Sequence, residues 1–277
     1  MKRHYRYLAP LLFFIFLSPA LSQADSCRHT FSADEYQALL FHSNPDNVQT
    51  FSDALPHIRE IEELFTRYGD HRGVFAIFYR NILETAVPEI EQGNFKFNDW
   101  SEAVSRQFVL RYMDNLHRHL LGQPVTESWH NFYLISGDCS RSVGRAAAAA
   151  LTAHLTLDFP EAINDANSYF FHFNDFYAIG QLLTDVTLSL VDDIENVYGV
   201  DLTDFFNLYF FGEAIDQQYG DGVSSEILFQ SVRITSWSHG LSLRARWIDN
   251  GKTRQAMRNL WLFEEHNLDI LESLNKL

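Results

Sequence analysis

Ala146-Ala-Ala-Ala-Ala150-Leu-Thr-Ala-His154-Leu-Thr-Leu-Asp158-Phe-Pro160 is the stretch on which the fold turns. Alanine is the strongest helix former and lets neighbouring backbones approach, so five in a row predict a central helix packed closely on all sides. His154 and Asp158 stand four residues apart, hence on one face of that helix about one turn apart. That is how a helix offers an imidazole and a carboxylate to one ion of the zinc, manganese or iron kind. The aspartate has a second reading. Asp158-Phe-Pro-Glu161 fits a capping box that opens the next helix, with Pro160 in its tolerant first turn, and His154 is then a core histidine bonded to the cap. Both readings stand.

Outward from this block the periodicity is helical throughout, and no run of alternating β-branched residues interrupts it. Phe108, Tyr112, Leu116 and Leu120 repeat every fourth residue, one buried stripe of an amphipathic helix. Ser32 with Glu35 reads as a capping box, and Asp70 and Thr126 read as helix starts. Gly69, Gly93, Gly122, Gly137, Gly199 and Gly251 read as stops. The pattern predicts helices over 32–43, 52–67, 71–92, 99–121, 126–136, 140–157, 160–168, 173–198, 202–218, 223–249 and 252–275. No Pro/Gly/Ser-rich linker separates two cores, so the expectation is a single multi-helix, bundle-like all-α domain.

Lys2, Arg3 and Arg6 precede the apolar run Leu8–Leu21, which ends in small residues and is interrupted by Pro10 and Pro19. Such a segment reads as a cleaved secretory signal peptide over 1–24, too short for a comfortable membrane span. The expected protein is residues 25–277, extracytoplasmic, periplasmic or secreted. The net charge of −15 becomes more negative when that basic segment is removed. It argues against nucleic acid as a partner and against stable membrane insertion, and leaves a small-molecule substrate open. Cys27 and Cys139 are the only cysteines, and an oxidising compartment predicts that they pair.

Other candidates cluster around the central block. Asp165, His172 and Asp175 would complete a metal shell if the following helix folded back over His154. Otherwise Asp165 is solvated and His172 lies in a turn among phenylalanines. Asp70 is either an N-cap or, with His71, a group reaching the central site. Arg233 and Trp237 are four apart, and a buried arginine needs an anionic partner: Asp158, which would be structural, or a substrate phosphate or carboxylate. Glu127-x-x-His130 is half of a di-iron motif with no second copy, and His117 and His119, flanking Arg118, are expected at the surface. There is no G-x-S-x-G, H-E-x-x-H, Walker or G-x-G-x-x-G pattern.

Several of these pieces together resemble a known family. Asp70–Gly93, Phe108–Tyr112 with Trp129 and Phe132, the run Ala153-His-Leu-Thr-Leu-Asp158, Asp175 and Arg233-Ile-Thr-Ser-Trp237 look like the bacterial family catalogued as domain of unknown function 5995, over about residues 50–262. Thr156 stands where that family usually has asparagine. The resemblance implies an all-α fold and adds weight to Asp70, His154, Asp158, Asp175 and Arg233, and it implies no reaction. A more distant likeness is to the secreted all-α zinc enzymes of the phospholipase C and P1 nuclease type, which also carry H-x-x-x-D on a central helix but begin with a tryptophan this sequence lacks.

Two functions follow as expectations. One is metal-dependent hydrolysis of an ester or phosphoester, with His154, Asp158 and Asp175 as metal ligands, zinc as a suitable divalent metal, and Asp70 and Arg233 completing the catalytic set. The other is a non-catalytic binding or interaction protein in which His154, Asp158 and Arg233 form a structural network and aromatic residues line an apolar pocket. They differ in whether the polar atoms satisfy one another or converge on an open cavity.

Overall fold

The computed structural model describes residues 27–206, 217–218, 220, 223–245 and 247–277. The proposed signal peptide over 1–24 lies outside them. Twelve α-helices carry the described chain, and no β-strand is present among the described residues: α1 (Ala33–Ser43), α2 (Ala54–Thr66), α3 (Gly73–Glu91), α4 (Asn98–Leu120), α5 (Glu127–Ser136), α6 (Val143–Thr152), α7 (Phe159–Asp165), α8 (Phe173–Asp185), α9 (Thr187–Tyr198), α10 (Thr203–Phe206), α11 (Val223–Arg244) and α12 (Asn250–Ser273). The all-α single domain expected from periodicity is what forms. No described helix is long and apolar enough to cross a membrane.

The alanine run does what its composition predicts. Ala146–Ala150 are all buried, and α6 packs against α3, α5 and α12. Helix α3 is the other axis of the core: Val74–Tyr79 are all buried, and it meets α2, α4, α6, α8 and α9. A second, smaller apolar cluster joins Trp100 and Val104 of α4, Phe159 and Ile163 of α7, Phe176 of α8 and Trp237 of α11. There α11 lies so close on α7 that a Cβ at Gly240 would fall 2.5 Å from Ile163 Cγ2.

Local signals at the ends are mostly met. Ser32 and Glu35 make both halves of the capping box. Gly199 closes α9 with φ 68°, a left-handed conformation in which glycine carries no Cβ penalty. Gly251 is not a stop; it sits in the first turn of α12, where Asp249 Oδ1 accepts its N–H at 2.8 Å. The single helix expected over 173–198 breaks at Val186. There Thr187 Oγ1 donates back to the Leu183 carbonyl at 3.3 Å, a bond that bends helices, and the break lets α8 pack on α11 while α9 packs on α3. The helix expected over 202–218 is seen as α10 and residues 217–218, and the positions between are not described.

Cys27 and Cys139 form a disulfide with Cα atoms 5.1 Å apart. It ties the segment before α1 to the α5–α6 connection. The His71 N–H donates to the Cys27 carbonyl at 3.2 Å, so the same segment is also held against the start of α3.

Candidate functional site

Between α6 and α7 the chain does not stop and restart; it widens into a π-helical stretch, Ala153–Asp158. Pro160 supplies the reason. It has no N–H and its ring crowds the carbonyl four residues back, so the α-helical register cannot run through it. The Phe159 N–H instead donates to the His154 carbonyl, five residues back. In that register Pro160 would serve the Leu155 carbonyl and cannot, and the Ser236 hydroxyl of α11 donates to it at 2.6 Å. Asp158 is therefore not a helix cap: its backbone is helical and its side chain makes no cap bond.

The freed Asp158 side chain turns inward. Its Oδ2 accepts from Trp129 Nε1–H at 2.8 Å and from His154 Nδ1–H at 2.9 Å. Burial pushes the His154 imidazole below its ordinary value against the pull of Asp158, which favours a neutral ring with one donor and one acceptor nitrogen. With Nδ1 donating to Asp158, Nε2 accepts from the Tyr79 hydroxyl. The ring lies flat on Phe108, with centroids 3.6 Å apart, and edge-on to Phe75 and Trp129. Tyr79, Trp129, His154 and Asp158 are all buried. Every polar atom of the histidine is used, inside an aromatic cage.

The other expected members stand elsewhere. Asp70 accepts at Oδ2 from the His29 N–H at 2.8 Å and holds the Arg72 guanidinium through both oxygens, at 2.9 and 2.6 Å. It pins the N-terminal segment and the start of α3. Asp175 accepts the Phe97 and Lys96 N–H groups at 2.6 and 3.3 Å, at the entrance to α4. Asp165 is paired with Arg111 at 2.6 Å, and His172 stacks on Trp100. Hence the shell of His154, Asp158 and Asp175 is not assembled, and no group of three His, Cys, Asp or Glu side chains among the described residues is gathered as metal ligands. The residues do not fit a zinc site, because both nitrogens of its only imidazole are already bonded.

Arg233 is fully buried but does not meet Asp158. It donates to Gln230 Oε1 at 3.1 Å and to the Phe176 carbonyl at 2.8 Å. His117 and His119, expected at the surface, are half-buried. His119 stacks on Tyr133 with centroids 3.8 Å apart, and burial pushes its imidazole down to about 3. Glu127 takes Arg258 in a two-bond pair at 2.7 Å.

Open space lies on the other side of the π stretch. A cavity of about 410 Å³ is walled by Leu151, Leu155, Phe206, Phe229, Val232 and Leu268, with Thr152, Thr156, Asn267 and Glu264 as its polar groups. Thr156 donates to Glu264 Oε2 at 2.7 Å, and burial, helped by neighbouring Glu265, pushes the Glu264 carboxyl up to about 7. Glu265 is satisfied separately by Arg145 at 2.5 Å, Thr152 and Asn131. Glu264 was missed in the sequence. Its signal was there: Met257, Trp261 and Leu268 mark the buried face of α12, and Glu264 falls beside that stripe. Tyr79 was also missed, and Trp129, which entered only through the family resemblance, was given no partner, although a buried indole or phenol on an apolar face needs one.

Fold and site together define an all-α protein with a closed histidine network and an apolar cavity beside it. The profile of the family of unknown function DUF5995 matches residues 51–261, and the chain belongs to that family. No curated protein and no solved structure matches it, so the likeness to zinc phospholipases and P1 nucleases is without support.

Proposed function

We propose that this chain is a non-catalytic binding protein that holds a small, neutral, mostly apolar molecule in the cavity between the π stretch, α10, α11 and α12. The single observation that carries the reading is the position of open space. It lies against apolar side chains and Glu264, while both nitrogens of His154 are already bonded and its ring is packed among aromatic rings. A volume of about 410 Å³ is in the range of small-molecule sites and holds roughly a dozen non-hydrogen atoms at about 30 Å³ each. Glu264, half-protonated near neutral pH, and Thr156 suit one hydrogen-bonding end of such a molecule better than a charged one. The basic and apolar N-terminal segment and the Cys27–Cys139 disulfide support an extracytoplasmic location.

Fluorescence titration with 1-naphthylamine, a neutral and mostly apolar probe within that size, tests this reading. The expected result is saturable binding of one probe per chain, lost in Val232→Arg and retained in His154→Phe. Absence of saturable binding, or equal binding by Val232→Arg, overturns it. Zinc-dependent hydrolysis of nitrophenyl esters that disappears in His154→Ala would establish the hydrolase instead.

A further inference from the structure

Arg233 presents a problem of charge. It has no exposed surface, and burial pushes its guanidinium down, to about 9, with no carboxylate among the described residues near enough to oppose it. It therefore remains a cation near neutral pH. Among the described residues its acceptors are Gln230 Oε1 and the Phe176 carbonyl, both neutral, and its Nε has no partner there. The guanidinium lies over the Phe176 ring, 4.3 Å from the centroid, which offsets part of the desolvation. Burying a charge without a counter-ion is strongly unfavourable, and folded proteins pair such charges.

The seat of this arginine is built for it. Helix α8 has glycine at position 180, and a Cβ there would overlap Arg233 Nη1 and come within 2.7 Å of Gln230 Oε1. Arg233 also borders a small, partly open cavity of about 40 Å³ that Tyr79, Ser105, Phe108 and Phe159 share. That is more than the roughly 10–15 Å³ one water-sized body needs, and too little for a phosphate ester.

We propose that this cavity is a binding site for one small monovalent anion, with Arg233 as its counter-ion and chloride as the natural probe. The anion supplies the negative charge that the protein withholds from Arg233. Its walls are otherwise uncharged, so selection is by size and by single charge. The site is separate from the apolar cavity beside Glu264, and the proposal stands or falls independently of the proposed ligand there.

Crystals of the whole protein soaked in bromide test it. The expected result is an anomalous peak in the cavity beside Arg233 Nε. In solution, chloride at ten times its dissociation constant shifts the folding equilibrium about elevenfold, or ~3–5 °C in Tm. That rise is measured against gluconate at equal ionic strength and is absent in Arg233→Met. No bromide in the cavity, with peaks only at the surface, overturns the proposal. So does a chloride-specific rise that Arg233→Met retains. Because the diffraction experiment uses the unaltered protein, a variant that fails to fold leaves the outcome decided.

Discussion

Replacing Glu264 by glutamine should stabilise the protein at alkaline pH and leave it unchanged at acid pH. The unfolded carboxyl titrates near 4.5 and the folded one near 7, because ionising it means charging a half-buried group beside Glu265 and an apolar cavity. Between those values the folded state binds more protons than the unfolded state, so stability falls as pH rises through that window. At about 1.36 kcal/mol per pH unit, the full loss above pH 7 is ~2–3 kcal/mol once partial exposure is allowed for. Glutamine keeps an oxygen for the Thr156 hydroxyl and never ionises. The expected gain is about 5–10 °C in Tm at pH 8.5 and close to none at pH 4. Thermal unfolding of both proteins at the two pH values measures it, and the histidines common to both cancel in the difference. An equal difference at both pH values, or a loss of stability at pH 8.5, would refute the claim that this carboxyl is held protonated by its surroundings.

Gly180→Ala should cost ~3 kcal/mol or more by chemical denaturation, because the new methyl overlaps the Arg233 guanidinium and one of the two must move. Asp158→Ala leaves the Trp129 and His154 N–H groups buried without acceptors and should cost about 2–5 kcal/mol; tryptophan emission should report the loss of the indole bond. Removing the Cys27–Cys139 bridge, whose sequence separation is 112, should cost up to about 5 kcal/mol by loop entropy, read from unfolding with and without reductant. His119 and His154 both have depressed folded values, so their contribution is complete above the unfolded value near 6.5. It declines as pH falls below it, for His119 down to about 3, and midpoint denaturant concentrations in the Glu264→Gln background should fall accordingly.

Most helices were legible because they keep a single period and end near a glycine, a proline or a capping side chain. What the sequence concealed came from tertiary competition. Val186 is an ordinary helical residue by pattern, and the break there answers to two different partners, α11 and α3. Asp158 looked like a cap because Glu161 stood three residues on. Pro160 instead forced a wider turn, which sent the carboxyl to Trp129, and nothing local announces that an indole 29 residues earlier will need an acceptor. Asp70, Asp175 and Arg233, expected at one site, are all buried, but each serves a different place in the fold. The family profile matched over residues 51–261 covers all of these positions without assigning a role to any.

Native mass spectrometry of the protein with a series of straight-chain alcohols from hexanol to hexadecanol tests the central claim, that open apolar space beside Glu264 is the working part of the molecule. One alcohol should be retained per chain, with retention greatest near decanol to dodecanol, as a cavity of about 410 Å³ implies, and lost in Val232→Arg. Retention that is absent, indifferent to chain length, or unchanged in Val232→Arg would contradict it.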